Sequence, residues 1–491
     1  MFKHPATVKL MTVGLIVLLL CGVLARISGL VDERRLRQEE AVRSVQNAHA
    51  GAQTLLGPVF SRACQERWPE MQGEGAAASR HTAQRDFVQT VPPELLQAEG
   101  QLAGEARYRG LFKVNTYAGQ FTLHARWATW PAPPQPEHAE GQVRCDPARL
   151  WLALGDARGI RQAQLLLNGQ AVPVQPGTGQ AAYAQGLHSV LPVPQAAAPT
   201  RPPGASSPAH AASATDRPAL DVELRLHVVG TAPLALVPAA QQTQWALRSD
   251  WPHPSFGGRF LPTERQVTAS GFQARWDISA LASHAAQAVQ AGHPWCTAPN
   301  ASAYDDEAPA ATAPERCLDT LAVGFIDPVN SYMLSDRATK YGLLFVALTF
   351  TAVALLELLG SVRRRVHPVQ YGLVGLALAL FFLLLLSLSE HLGFAGAYAL
   401  AASACVLLLG AYATPMLGSG RAGASFGTAC ALLYGLVFWL LQREQTALVI
   451  GSVGLFAALA LVMWLTRHLD WYGLLAPNPA RHTPPPTPPA A

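Results

Sequence analysis

The C-terminal third of the chain alternates long apolar runs with short polar breaks. The runs cover 341–360, 370–389, 393–415, 426–442 and 446–466. Each is about as long as a helix needs to be to cross a hydrocarbon core of roughly 30 Å. A water-soluble core helix would carry polar residues at a 3.6 period, and 373–386 carries none. The pattern predicts five transmembrane helices here and a sixth at the N-terminus. There Lys3, His4 and Lys9 precede an apolar stretch that runs from Leu10 to Leu30. No convincing small-residue cleavage site follows it, so residues 1–30 read as an uncleaved signal anchor, with a cleaved signal peptide as the alternative.

Between these regions the period changes. Leu220, Val222, Leu224, Leu226 and Val228 alternate with Asp221, Glu223, Arg225 and His227, as in a half-buried strand. The same period of two marks 121–127 and 272–276, and shorter strands fit 150–154, 164–167 and 322–326. Gly and Pro punctuate the segment at 168–169, 176–177 and 257–258. A helix is expected at 31–50, continuing the first span. The fold class read from this is an α + β membrane protein. It has the N-terminal anchor, a mostly antiparallel, sandwich-like β domain over 31–336, and a five-helix transmembrane domain over 337–472. The Pro/Ala-rich segment 194–218 reads as a solvated loop, 296–317 as an inserted loop, and 473–491 as a disordered tail.

Composition sharpens this picture. Charged residues make up 14% of the 491, against roughly 25% in soluble domains, which excludes a disordered protein. A net charge of +4 is too small and too dispersed for a nucleic-acid binder. Only eight of the charges lie in 341–466, mostly between the apolar runs. Arg363, Arg364, Arg365, Arg421, Arg467 and Arg481 then fall on one side if both termini are cytoplasmic, as the positive-inside rule requires. Arg34, Arg35 and Arg37, just beyond the first span, oppose that assignment. Four lysines among 36 basic residues, together with the signal anchor, point to a bacterium. The expected location is therefore the inner membrane, with six spans and the β domain in the periplasm.

An oxidising compartment gives meaning to Cys64, Cys145, Cys296 and Cys317, an even number in the external domain. Three pairings are possible. A bridge between Cys296 and Cys317 would staple an acidic loop and leave Cys64 with Cys145; four free thiols are the alternative. The segment 249–262 reads in two ways. It is either a loop presenting Trp251, His253 and Arg259 to a partner, or a stiff crossover with aromatics plugging a sheet edge. Asp156 and Arg158 read as a salt bridge in a turn. Ser335 reads as a helix N-cap, with Asp336, Arg337 and Lys340 as a coupling point between domain and membrane. Glu357, Glu390 and His391 are the ionisable residues in or beside spans. Glu357 is expected to snorkel toward Arg363, and the other two are candidates for function. Signatures of zinc peptidases, serine hydrolases, phosphate loops and CxxC redox sites are absent. The expectation is a non-enzymatic protein without cofactor. Its partners would be the lipid bilayer and an envelope component or membrane protein.

Several strings resemble one family over nearly the whole chain: GDARGI (155–160), PGTG (176–179), SDWPHPSFGGRFLP (249–262), SGFQARW (270–276), DRATKYGLLFVALTF (336–350), HPVQY (367–371), LSLSEHLGF (386–394) and TRHLDWY (466–472). These are similar to the CreD family of cell envelope integrity inner-membrane proteins. The loops at 194–218 and 296–317 depart from the shorter family pattern. The resemblance implies an inner-membrane protein under two-component control, linked to envelope integrity, colicin tolerance and, in some bacteria, the β-lactam response. It implies no catalytic residues to carry over. A transporter or transporter accessory subunit is the alternative reading.

Overall fold

The structure is a computed structural model. It describes residues 5–72, 79–192, 218–231, 233–295, 317–326, 331–358, 366–443 and 447–467. The loop 194–217, most of 296–317, Arg363 and the tail lie outside the described residues. Helix α1 (Pro5–Ala48) opens the chain. The strands that follow are β1 (Gln53–Gln72), β2 (Ser79–Val91), β3 (Leu95–Arg109), β4 (Phe112–Trp127), β5 (Gln142–Cys145), β6 (Arg149–Leu154), β7 (Ile160–Leu167), β8 (Gln170–Val172), β9 (Gln175–Pro176), β10 (Gly186–Val190), β11 (Leu220–Thr231), β12 (Leu234–Leu236), β13 (Gln242–Ser249), β14 (Pro254–Gly258), β15 (Glu264–Thr268) and β16 (Gly271–Ser279). A short α2 (Ala285–Gln290) precedes β17 (Leu321–Phe325). Helices α3 (Ser331–Lys340), α4 (Gly342–Leu358), α5 (Pro368–Leu417), α6 (Gly420–Leu441) and α7 (Ala447–Thr466) complete the chain. Two compact units result: a β unit, Glu39–Pro328, and a helical unit, Met1–Gln38 with Val329–Ala491.

The β unit holds two sheets. One runs β14-β17-β12-β1-β6-β10-β9, with β2 and β5 added to the far half of the long β1. The other runs β15-β16-β13-β3-β4-β11-β7-β8. Pairing is mostly antiparallel; β1 with β12 and β3 with β13 are parallel. The alternation seen at 220–228 is the burial pattern of β11, whose even-numbered residues from Leu220 to Val228 enter the core. Leu55, Phe60, Leu150 and Leu152 from one sheet meet Leu96, Leu123, Trp245 and Trp276 from the other. Strand β6 is buried on both faces. Leu150, Leu152 and Leu154 enter that core, while Trp151 and Ala153 join a second cluster with Tyr183, Ala285 and Val289. A doubly covered strand reads as a continuous apolar run, and Leu150–Leu154 does.

Among the described residues four helices are long and apolar enough to cross a membrane: Met11–Ala48, Pro368–Leu417, Gly420–Leu441 and Val449–Thr466. The pair Ser331–Lys340 and Gly342–Glu357, bent by 43°, makes a fifth if it counts as one span. This is short of the six expected. Helix α5 is the longest of them, and at 50 residues it would reach about 75 Å if straight. It is not straight. Gly393 has φ 71° and ψ 162°, outside helical space. The Cys405 thiol donates to the Ala377 carbonyl at 3.6 Å, although the two are 28 residues apart in sequence. The chain reverses at Gly393, so α5 is a hairpin of two apolar arms. Phe381 of one arm lies 5.4 Å from Tyr398 of the other and 4.6 Å from Tyr434 of α6. Rings of Phe345, Phe381, Phe382, Tyr398 and Tyr434 fill the centre of this unit. Ser335 is not an N-cap. Helix α3 already begins at Ser331, which places Ser335 in its interior with the hydroxyl buried and unbonded among the described residues.

Candidate functional site

Three polar clasps hold α1, and each is built from residues far apart in sequence. The first lies at the N-terminal end of the apolar stretch. Glu357, near the end of α4, accepts from the Lys9 ammonium at 2.5 and 2.6 Å. The Tyr371 hydroxyl, on the first arm of α5, donates to the same carboxylate at 3.3 Å. The Lys9 ammonium lies 5.7 Å from the Tyr371 ring centroid. Glu357 therefore pairs with α1, and the expected partner Arg363 lies outside the described residues.

The second clasp repeats this chemistry at the other end. The Glu390 carboxylate, 9% exposed, meets the Arg34 guanidinium at 3.5 Å. The Tyr332 hydroxyl of α3 donates to Glu390 at 3.4 Å. Lys9 and Arg34 are 25 residues apart on one helix, about 37 Å of rise, a little more than a hydrocarbon core. Leu20, Leu24 and Ile27 lie between them, buried against the helical unit. Arg34 opposed the positive-inside assignment, and the carboxylate beside it supplies the physical reason it is there. His391, next to Glu390, is exposed and outside this clasp.

The third clasp belongs to the β unit and uses the GDARGI turn. The Asp156–Arg158 pair is present at 2.6 Å, as the sequence suggested, but its role extends beyond the turn. The Arg158 guanidinium donates to the carbonyls of Gln46 (3.3 Å) and Asn47 at the C-terminal end of α1. Those carbonyls have no partner inside the helix, and a cation there is also favoured by the helix dipole. Asp156 accepts from the Gly51 amide at 2.9 Å. Burial raises the Asp156 carboxyl, but Arg158 and the Gly51 amide outweigh it and hold it below the usual carboxylate range. The Gln53 side chain donates to Asp156 O and Val229 O, and Thr231 donates to Ala50 O. Gly159 has no room for a side chain, since a Cβ would sit 2.2 Å from the Gln53 amide and 2.3 Å from Val229 O. Glycine at the fifth position of the motif was a visible signal of this close approach; its target, the end of α1, was not.

The remaining candidates separate. The 249–262 segment carries the chain from β13 in one sheet to β14 in the other. The Trp251 indole donates to Ile326 O at 3.1 Å and packs edge-on to Phe325. Phe256 packs edge-on to Phe272 and Trp276. This is the crossover alternative. His253 is exposed, and its carbonyl accepts from Ile326. Arg259 pairs with Asp319 at 3.3 Å. Asp336 pairs with Lys340 one helical turn away, at 2.9 Å. Cys64 and Cys145 form a disulfide between β1 and β5, directly opposite in register. Cys317 is also disulfide-bonded, and Cys296 lies outside the described residues.

A further cluster escaped the sequence reading. Glu66 is fully buried and accepts from the amides of Glu137 (2.8 Å) and His138 (2.9 Å), and from Arg85 at 3.1 Å. The His138 amide is the main reason its carboxylate sits below the ordinary range, against the upward push of burial. Trp68 stacks on the His138 ring at 3.7 Å. No group of three or more His, Cys, Asp or Glu able to hold a metal occurs among the described residues.

A β unit of two packed sheets and a helical unit of long apolar helices define the class of this protein. The family model for the inner membrane protein CreD matches residues 5–472. The inner membrane protein CreD of Escherichia coli (strain K12) is 31% identical over 484 residues, 97% of this chain and 96% of that one. The chain belongs to the CreD family of inner-membrane proteins. Among solved structures, an M1 zinc metallopeptidase from Deinococcus radiodurans is 10% identical over 47% of this chain and 41% of that one, with a TM-score of 0.19. A mutant of the same enzyme, 11% identical over 47% and 42%, scores 0.20. Scores that low establish neither a shared fold nor a shared activity.

Proposed function

We propose that this inner-membrane protein serves envelope integrity without catalysis. The β unit faces the periplasm and binds an envelope component, and α1 carries its state to a helical unit of six spans with both termini in the cytoplasm. The observation that carries this reading is the set of clasps on α1. One end is fixed by Asp156 and Arg158, and the apolar stretch is pinned by Arg34–Glu390 and Lys9–Glu357. Anchoring alone needs an apolar helix; it does not need two buried or half-buried carboxylates matched to cations on that helix, each also holding a tyrosine hydroxyl. Such pairs give registry more than raw stability. The six-span topology is supported by the α5 hairpin, because splitting α5 at Gly393 adds the span that helix length alone hides. A transport path is disfavoured by the aromatic rings that fill the helical unit.

Charge exchange tests the relay. Arg34→Glu should place two carboxylates together and abolish rescue of a deletion strain's susceptibility to detergent and β-lactams. Arg34→Glu combined with Glu390→Arg should restore it at equal membrane levels. If Arg34→Glu alone rescues fully, the clasp has no part in function and the reading fails.

A further inference from the structure

The two faces of the sandwich are treated differently. The outer face of the β1 sheet is covered by the Trp151–Tyr183–Val289 cluster. Among the described residues the outer face of the β3 sheet is open, and one row across it consists mostly of primary amides. Following the register from strand to strand, Gln266 of β15 lies opposite Gln273 of β16, and Gln273 opposite Arg248 of β13. Arg248 lies opposite Gln101 of β3, and Gln101 opposite Gln120 of β4. Gln120 lies opposite His227 of β11, and His227 opposite Gln162 of β7. Seven adjacent strands thus place five primary amides, one guanidinium and one imidazole in a line. At an inter-strand spacing of roughly 4.8 Å the line is about 29 Å long.

All seven are exposed except His227, which is half-buried. Among the described residues none of the seven side chains has a hydrogen-bond or ion-pair partner within the protein. Neighbouring rows differ. Two residues along, opposite charges face each other, with Glu264 against Arg275. Four residues along, the Gln97 amide donates to Gln244 at 3.0 Å. On the opposite side of the amide row the chain carries Ala103, Ala118 and Gly271, which leave a step. A trough of about 480 Å³ opens there, lined by Gln101, Gln273 and Gln266 with Asp250, Thr268 and Ser270.

We propose that this amide row is a binding platform for an uncharged, N-acetylated glycan strand; the assignment rests on the reading that the β unit binds an envelope component. Each glutamine amide offers two donors and an acceptor. A polymer of hydroxyl and acetamido groups presents the complementary set at every unit and carries no charge. A polyanion would require a line of cations, and the row holds one arginine. An extended peptide adds to a sheet through an edge, whereas the strands from β16 to β11 spend their backbone groups on neighbours at both sides.

The test uses the full chain in lipid nanodiscs and a soluble hexamer of N-acetylglucosamine. Calorimetry should detect binding that falls at least tenfold in a Gln101→Ala/Gln120→Ala/Gln273→Ala variant and is unchanged in Gln97→Ala. The deacetylated hexamer and polyphosphate should bind at least tenfold more weakly. An unchanged thermal transition in the triple variant secures its fold. Absence of binding by the wild type, binding that survives the triple variant, or preference for polyphosphate or an extended peptide overturns the proposal. The charge exchange at Arg34 and Glu390 reads out separately, so the ligand class can fail while the relay stands, and the reverse.

Discussion

Glu390 and Arg34 show what single residues reveal before a fold is known. Each was conspicuous alone, Glu390 as a carboxylate ending an apolar run and Arg34 as a cation on the disfavoured side. Their pairing was not legible, because it depends on how α1 packs against helices more than 300 residues away. Glu66 was less visible still, lying in a polar stretch whose burial comes from β5 and the 137–138 turn. These buried carboxylates set a pH dependence. Asp156 and Glu66 both sit below the ordinary carboxylate range when folded. Their contribution is therefore complete above the unfolded values near pH 4 and is lost as pH falls through the lower folded values. The thermal midpoint of the β unit should drop as pH falls below about 4. The drop should be smaller in Asp156→Asn and Glu66→Gln, which begin less stable at neutral pH. An equal drop in all three proteins would assign the acid sensitivity to other groups.

At the scale of elements, strands with one buried face were readable and strands outside the two-sheet core were not. The alternation in β11, β4 and β16 follows directly from core on one side and water on the other. The far half of β1 extends along β2, where Cys64 to Gln72 pairs Ser79 to Phe87, and beyond Arg67, where β5 ends, the two strands run alone. The buried positions in that half of β1, Arg62, Cys64 and Glu66, are not aliphatic or aromatic, so the strand shows no hydrophobic period to read. A long two-stranded ribbon is marginal in water, which gives the Cys64–Cys145 bridge a specific task. It fastens the four-residue β5, and with it the turn that buries Glu66, to the middle of β1. The bridge closes a sequence separation of 81 residues. Cys64→Ser/Cys145→Ser should cost the β unit up to about 4.5 kcal/mol on the unfolded-chain entropy account. Protease cutting should then begin within 130–145, mapped by mass spectrometry. Unchanged cutting there would show that β5 is held without the bridge.

For the whole molecule, hydropathy marks six apolar runs, whereas four helices, or five with the bent pair, are long and apolar enough to cross a membrane among the described residues. The difference rests on Gly393. Its φ of 71° with ψ of 162° lies in a region essentially reserved for glycine, and nothing stands within 4 Å of the position a Cβ would take. The reversal therefore depends on backbone freedom and not on space. It also decides the topology. If α5 crossed once, His391 would lie near the bilayer centre, since it falls near the middle of 368–417. If α5 is a hairpin, His391 emerges on the side opposite Ser419, which lies between α5 and α6. Single His391→Cys and Ser419→Cys variants separate these cases with a membrane-impermeant maleimide, because the native thiols Cys405 and Cys430 are buried and a Cys21→Ser background removes the exposed one. In intact spheroplasts the His391→Cys variant should label, and the Ser419→Cys variant should label only after the membrane is opened. Labelling of both from the same side, or of neither before or after opening, would exclude the six-span arrangement. The second clasp would then lose its meaning as an outer-surface contact.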